Sequence, residues 1–288
     1  EQLTVGLLAH EFAHVLGVPD LYHYEDNWAS VGDWDLMHWE GDIPQFMITH
    51  LRHKYLNVLG ENQIETIEFN GIYRLSPVTT TSKNQVLAYR INTQRPDEYF
   101  MVEYRNNNVT SYDSTLPGSG LIVYRVKQGV YGNSEALKNR ASNPDEVYIF
   151  RPNAVTVGSD SVRSRANLNK AYLSPQNPDF SSVGVSLEQK PSSSYDDTTL
   201  FYTNGQNSGV IITALAINDQ QITFEVRLSG DNNIHDDYFK DKLSLNNVKL
   251  NNDQVFSGVY AKLEVIQDFN ISFLNDLIIK LKSDNNHQ

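Results

Sequence analysis

The sequence of 288 residues contains no cysteine. This absence excludes disulfide bridges and thiolate metal ligands, so a metal would have to be held by histidine and carboxylate side chains. The sequence also lacks an apolar run of about eighteen residues, the length that a transmembrane helix requires. Basic residues are few, with 23 Lys and Arg against 35 Asp and Glu and a net charge of −12. That balance argues against a nucleic-acid partner, whose binding needs a basic surface.

One short segment carries most of the chemical information. It reads His10-Glu11-Phe12-Ala13-His14-Val15-Leu16-Gly17-Val18-Pro19-Asp20, an H-E-x-x-H-x-x-G-x-x-D pattern. Apolar residues recur through it at helical spacing, which predicts an α-helix. Two histidines four residues apart on a helix point to the same side, so His10 and His14 can bind one metal ion. Glu11 lies beside them and can act on a water molecule bound to that metal.

The third metal ligand is expected just beyond the helix. Gly17 can end the helix in a left-handed conformation, and the chain can then return the Asp20 carboxylate to the same ion. His23 is a rival for this place, as are the more distant carboxylates of Glu25 and Glu40. Three protein ligands and one open position for water are typical of a catalytic zinc site.

The motif and its flanks resemble the metzincin clan of zinc peptidases, and within it the immune-inhibitor-A-like family of bacterial metalloproteases. The flanks are Thr4-Val5-Gly6-Leu7-Leu8-Ala9 before the motif and Leu21-Tyr22 after it. Two later stretches, Val31-Gly32-Asp33-Trp34-Asp35-Leu36-Met37 and Leu116-Pro117-Gly118-Ser119-Gly120-Leu121-Ile122-Val123-Tyr124, are similar to segments of the same family. The resemblance covers about residues 3 to 228. It implies that Met37 is the Met-turn methionine beneath the metal.

The resemblance implies a secreted bacterial zinc endopeptidase that acts on protein or peptide substrates. Zinc would lower the pKa of its bound water, and Glu11 would take the proton as general base. A metzincin catalytic domain places a mixed sheet and a backing helix before its active-site helix, whereas nine residues precede His10 here. The resemblance therefore implies a domain truncated at its N-terminal side, with the rest of the same protein as its partner and little peptidase activity in this chain alone.

The predicted fold class is α+β. The C-terminal part of a metzincin-like catalytic domain is expected over residues 1–60, with a second helix from about Pro44 to Leu59, and a mainly antiparallel β-sandwich over residues 61–228. Strands are predicted at 64–69, 72–75, 86–91, 99–104, 121–126, 147–150, 210–216 and 222–226. Residues 129–203 read as a long irregular insertion. Residues 229–288 read as a linker followed by a small β-rich segment.

Other functions stay open at this point. A non-catalytic module could bind a protein or glycan through the β-sandwich, and a zinc hydrolase could act on a small substrate. Calcium is a second candidate cofactor. The carboxylates that suggest it are Asp33, Asp35, Asp145, Glu146, Asp160, Asp196 and Asp197. They do not form a D-x-[DN]-x-[DN]-G loop, so a solvated surface is the favoured interpretation for them.

Overall fold

The computed structural model describes residues 3–228 except 27, 81, 83, 109–111, 138–141, 153–166 and 185–199. The described residues form two α-helices and two β-sheets whose strands pair mostly antiparallel, which agrees with an α+β class. The expected linker and C-terminal segment, 229–288, lies outside the described residues. So do three of the calcium candidates, Asp160, Asp196 and Asp197.

Helix α1 spans Val5–Val15 and carries the two histidines of the motif. The Thr4 hydroxyl caps its start by accepting a hydrogen bond from the Leu7 amide at 3.0 Å. Gly17 follows with a φ of 90°, the left-handed conformation that the sequence predicted at the helix end. The helix buries Gly6, His10 and Ala13. Its opposite side exposes Val5, Leu8, Phe12, Val15 and Leu16. Neither described helix is long and apolar enough to cross a membrane.

Helix α2 spans Thr49–Lys54, so the prediction of a helix from Pro44 to Leu59 was too long. Buried carboxylates hold the preceding residues in an extended path. The Phe46 amide donates to Asp113 Oδ1 at 3.0 Å, and the Ile48 amide donates to Asp35 Oδ2 at 2.5 Å. An amide bonded to a side chain does not enter the helical ladder, so the helix begins only after these contacts.

The strands form two sheets. In spatial order, the first sheet contains β1 (Ile64–Ile67), β3 (Ala88–Asn92), β4 (Glu98–Arg105), β5 (Gly120–Lys127) and β6 (Val147–Ile149), and β7 (Tyr172–Leu173) also pairs with β5. The second contains β2 (Gly71–Leu75), β10 (Gln221–Arg227), β9 (Ile211–Asn218) and β8 (Ser182–Val183). Only the β1–β3 pair is parallel among the described strand pairs. Each predicted strand is present, with ends that agree to within two residues.

The described residues of the segment 129–203 include three short strands. They are β6, β7 and β8, and each of these strands joins one of the two sheets. β7 and β8 are two residues long, too short to show the alternation of apolar and polar residues that reveals a strand. The described residues of this segment therefore contribute strands to both sheets.

The strands β4, β5 and β6 of the first sheet are buried on both faces. Successive side chains of a strand point to opposite faces, so β4 and β5 supply residues to two hydrophobic clusters. One cluster joins Phe100 and Val123 to second-sheet residues such as Phe224. The other joins Met101 and Tyr124 to residues of the first sixty positions, including Ala13, Trp34, Met37, Ile48 and Leu51. Ala13 thereby joins the helix that carries the motif to the same cluster as the strands.

Candidate metal centre

His10, His14 and Asp20 come together at the C-terminal half of α1, where they form a group able to hold a metal ion. The Nε2 atoms of the two histidines are 3.1 Å apart. Asp20 Oδ1 lies 3.2 Å from Nε2 of His10 and 3.3 Å from Nε2 of His14. Ligand atoms arranged tetrahedrally around zinc are about 3.3 Å apart. The three atoms therefore have the spacing of one face of a zinc tetrahedron.

Hydrogen bonds on the far side of each imidazole orient its free nitrogen. Nδ1 of His10 donates to the Leu36 carbonyl at 2.9 Å, and Nδ1 of His14 donates to the Val18 carbonyl at 2.8 Å. A carbonyl only accepts hydrogen bonds, so in each neutral ring the proton lies on Nδ1 and the lone pair on Nε2. Two lone pairs and the Asp20 carboxylate thus converge on one point, an arrangement that a cation stabilises.

Protons and a metal would compete for this point. The adjacent Asp20 carboxylate raises the pKa of His10 to about 9, against the opposing effect of burial. Burial acts to raise the pKa of Asp20, but interactions with His10 and Tyr24 outweigh it and hold that pKa below its usual value. Asp20 Oδ1 is buried and makes no hydrogen bond within the described part of the chain. The two histidine Nε2 atoms lie 3.2 and 3.3 Å from it, so the donor set fits a bound metal.

Contacts from distant parts of the chain hold Asp20 in place. The Asn133 amide donates to the Asp20 carbonyl at 2.8 Å, and the next amide, of Leu21, donates to the Met37 carbonyl at 2.8 Å. The Tyr24 hydroxyl donates to Asp20 Oδ2 at 2.5 Å. Sequence reasoning missed Asn133 and Tyr24 because no spacing rule relates them to the motif.

His23, the rival third ligand, is engaged elsewhere. Its Nε2 lies 2.7 Å from Asp145 Oδ1, and its Nδ1 lies 2.6 Å from Asp26 Oδ1. Burial alone would lower the pKa of His23, but Asp145 and Asp26 together raise it to about 9. A ring that donates from both nitrogens has no lone pair for a metal. This geometry favours Asp20 over His23, and neither Glu25 nor Glu40, both exposed, joins the group described above.

Glu11 and Met37 are the expected general base and the expected Met-turn methionine. Glu11 is exposed on α1, directly after His10. Met37 is fully buried, and its amide donates to Asp35 Oδ1 at 2.7 Å. The carbonyl of the preceding residue, Leu36, is the one that His10 binds. The turn containing Met37 is therefore joined to His10 through the carbonyl of Leu36.

Three of the calcium candidates are used in contacts within the protein: Asp35, which accepts from the Met37 and Ile48 amides, Asp145 and Glu146. Asp145 accepts hydrogen bonds from His23 and from the Ser30 hydroxyl. The fully buried Glu146 accepts from His50, Lys54 and Tyr55 at 2.6–2.7 Å. Burial alone would raise the pKa of Glu146, but these donors lower it to about 2. The carboxylate oxygens at 145 and 146 therefore serve the packing of α2 and of the loop after Asp20.

Comparison of the chain with protein-family models, with curated proteins and with solved structures finds no match. The resemblance to the immune-inhibitor-A-like family therefore rests on the motif and the two later stretches quoted above. The geometry of His10, His14 and Asp20 does not depend on that resemblance, because it is described by hydrogen bonds and distances alone.

Proposed function

We propose that this chain belongs to a zinc-dependent endopeptidase related to the immune-inhibitor-A-like family. One observation carries the proposal: three ligand atoms 3.1–3.3 Å apart, two of them on imidazoles whose other nitrogens bind backbone carbonyls. Such preorganised lone pairs, with Glu11 next to them on the exposed side of the helix, suit hydrolysis by an activated water molecule.

The roles of the residues follow from their positions. His10, His14 and Asp20 would hold the zinc, which when bound supplies Lewis acidity toward water and the scissile carbonyl. The Glu11 carboxylate accepts the proton of the attacking water and returns it to the nitrogen of the leaving amine. The Asp20 carboxylate offsets part of the positive charge at the site, and the bonds to Leu36 and Val18 keep the imidazoles from rotating away.

The finer fold assignment belongs to the same proposal. Residues 1–60 would be the C-terminal part of a metzincin-like catalytic domain, supported by the buried turn with Met37, which is joined to His10 through the Leu36 carbonyl. Residues 61–228 would be a β-sandwich, supported by the shared cluster of apolar side chains from both sheets. A secreted protein that cleaves protein or peptide substrates is the function that this assignment implies.

The test uses the full-length natural protein that contains this sequence, assayed for bound zinc and for casein cleavage. We expect Glu11→Ala to keep its zinc and to lose about 10²–10⁴-fold in cleavage rate or more, because a general base is removed. Glu25→Ala, which removes an exposed carboxylate of the following loop, is the matched control and should cleave normally. His10→Ala and His14→Ala should lose the zinc. Full activity of Glu11→Ala would refute the mechanism.

The same assay separates the alternatives. A non-catalytic module that binds proteins or glycans would cleave neither casein nor peptides, whether or not zinc is bound. A zinc hydrolase with a small substrate would hold zinc and lose it in His10→Ala, but a peptide library would stay intact. Cleavage that a chelator abolishes and zinc restores is the outcome expected of the endopeptidase.

A further inference from the structure

We infer that Tyr24 is a positioning residue that keeps the Asp20 carboxylate in a single orientation, with one oxygen toward the metal. This inference rests on the proposed zinc site and adds to it a residue outside the motif. Tyr24 OH donates to Asp20 Oδ2 at 2.5 Å, while Oδ1 of the same carboxylate faces the two histidines. The two oxygens are thereby given different partners.

Backbone hydrogen bonds restrain the main chain at Asp20, so the main movement left to this ligand is rotation of its side chain. Both polar groups of the peptide that joins Asp20 to Leu21 are bonded, because the Asp20 carbonyl accepts from the Asn133 amide and the Leu21 amide donates to the Met37 carbonyl. A carboxylate attached to a fixed backbone can still turn about its terminal bond. It could then present both oxygens to the metal, or exchange one for the other. The Tyr24 hydroxyl opposes that rotation because it holds Oδ2.

Burial makes the hydroxyl important. Asp20 is 7% exposed, so water has little access to an oxygen that loses its partner. A buried acceptor without a donor is costly, more so when it is charged. Without the hydroxyl, Oδ2 would replace its lost donor by moving toward the metal. Both carboxylate oxygens would then bind the metal, and its coordination number would rise.

Tyr24→Phe isolates this effect. The ring of Tyr24 is exposed and lies 5.5 Å from the ring of Tyr22, and phenylalanine keeps that contact. Tyr131→Phe is the matched control. Tyr131 is also exposed, and its hydroxyl donates to the Gly17 carbonyl at 3.1 Å, at the same end of α1 but away from the carboxylate.

The first measurement is the zinc affinity of the 288-residue chain, by competition with a chromophoric chelator. We expect Tyr24→Phe to bind zinc about 10–100-fold more weakly than wild type, the usual effect of losing a hydrogen bond to a metal ligand. Tyr131→Phe should stay within about twofold of wild type. Circular dichroism confirms that each variant is folded.

The second measurement replaces zinc with Co²⁺, whose visible absorption is stronger in four-coordinate than in five-coordinate sites. Tyr24→Phe should absorb more weakly at metal saturation, and Tyr131→Phe should match wild type. An affinity and a spectrum unchanged in Tyr24→Phe would overturn the inference, as would equal losses in both variants. If the wild type itself binds no zinc, or if His10→Ala binds it equally well, the proposed function fails and the positioning role fails with it.

Discussion

At the scale of single residues, His23 shows how position in the sequence and function can diverge. It lies three residues beyond Asp20, yet its ring is fully buried between Asp26 and Asp145. We expect His23→Gln to retain zinc, because neither ring nitrogen is free to bind it. His14→Gln, which removes a proposed ligand on the helix, should lose zinc under the same conditions. Zinc content after gel filtration distinguishes the two, and loss of zinc from a folded His23→Gln would restore His23 as a ligand.

The same residue predicts a pH dependence of stability. The pKa of His23 is about 9 in the folded chain and has an ordinary value of 6.5, so folding favours its protonated form. Its stabilisation is therefore fully present below pH 6.5 and is lost as the pH rises through 9. With a chelator present, urea unfolding should show a larger loss of stability from pH 6 to 9.5 in wild type than in His23→Gln, by roughly 3 kcal/mol at most. Equal losses of stability in wild type and His23→Gln would contradict a stabilising, protonated His23 in the folded chain.

At the scale of elements, α1 packs very closely against the backbone at Gly41. A Cβ atom built on Gly6 would lie 1.9 Å from the Gly41 carbonyl oxygen, so the helix can take this position only with glycine there. An Ala in place of Gly inside a helix normally stabilises it by about 1 kcal/mol. Here the steric clash should reverse the sign.

We therefore expect Gly6→Ala to destabilise the chain and to weaken zinc binding, because the helix that carries His10 must shift. Gly41→Ala is the control for the same contact, since its Cβ would meet the Ile43 carbonyl oxygen at 3.5 Å, an ordinary distance. Urea unfolding and zinc affinity measure both effects. A Gly6→Ala chain as stable as wild type would show that α1 has room to move.

The elements also show what the sequence alone can predict. α1 was predictable because its apolar spacing, its histidines and Gly17 all agree, and β4 and β5 because they are long runs of β-branched and aromatic residues. The start of α2 was not predictable, because it depends on Asp35 and Asp113, whose closeness to residues 46–48 arises only in the folded chain. In the site, helical spacing predicted the histidine pair. The hydrogen bond from the Tyr24 hydroxyl to Asp20 had no signal in the local sequence.

At the scale of the whole molecule, the first sixty residues and the strands share a hydrophobic cluster on one face of the first sheet. All described residues also belong to one compact unit. We expect the two parts to unfold together. The three tryptophans all lie within residues 28–39, so their fluorescence reports on the part that contains the motif, and far-ultraviolet circular dichroism reports mainly on the strands.

Heating should give coincident transitions by both probes, and zinc should raise both midpoints equally, because a ligand stabilises everything that unfolds with its site. His14→Gln, expected to bind no zinc tightly, is the control in which added zinc shifts neither midpoint. Separate transitions, with only the fluorescence midpoint moved by zinc, would show that the motif folds apart from the sheets.

The bonds from Asn133 to Asp20 and from Asp145 to His23 have a consequence for biosynthesis. The ribosome makes His10, His14 and Asp20 at the start of this stretch, but Asn133 and Asp145, which complete the contacts of the turn at Asp20, emerge more than a hundred positions later. The nascent chain therefore carries its metal-binding side chains for a long time before they can close around an ion. Ribosome-bound chains stalled with residue 150 exposed should take up zinc more tightly than chains stalled before residue 130 emerges, and equal uptake would contradict this order.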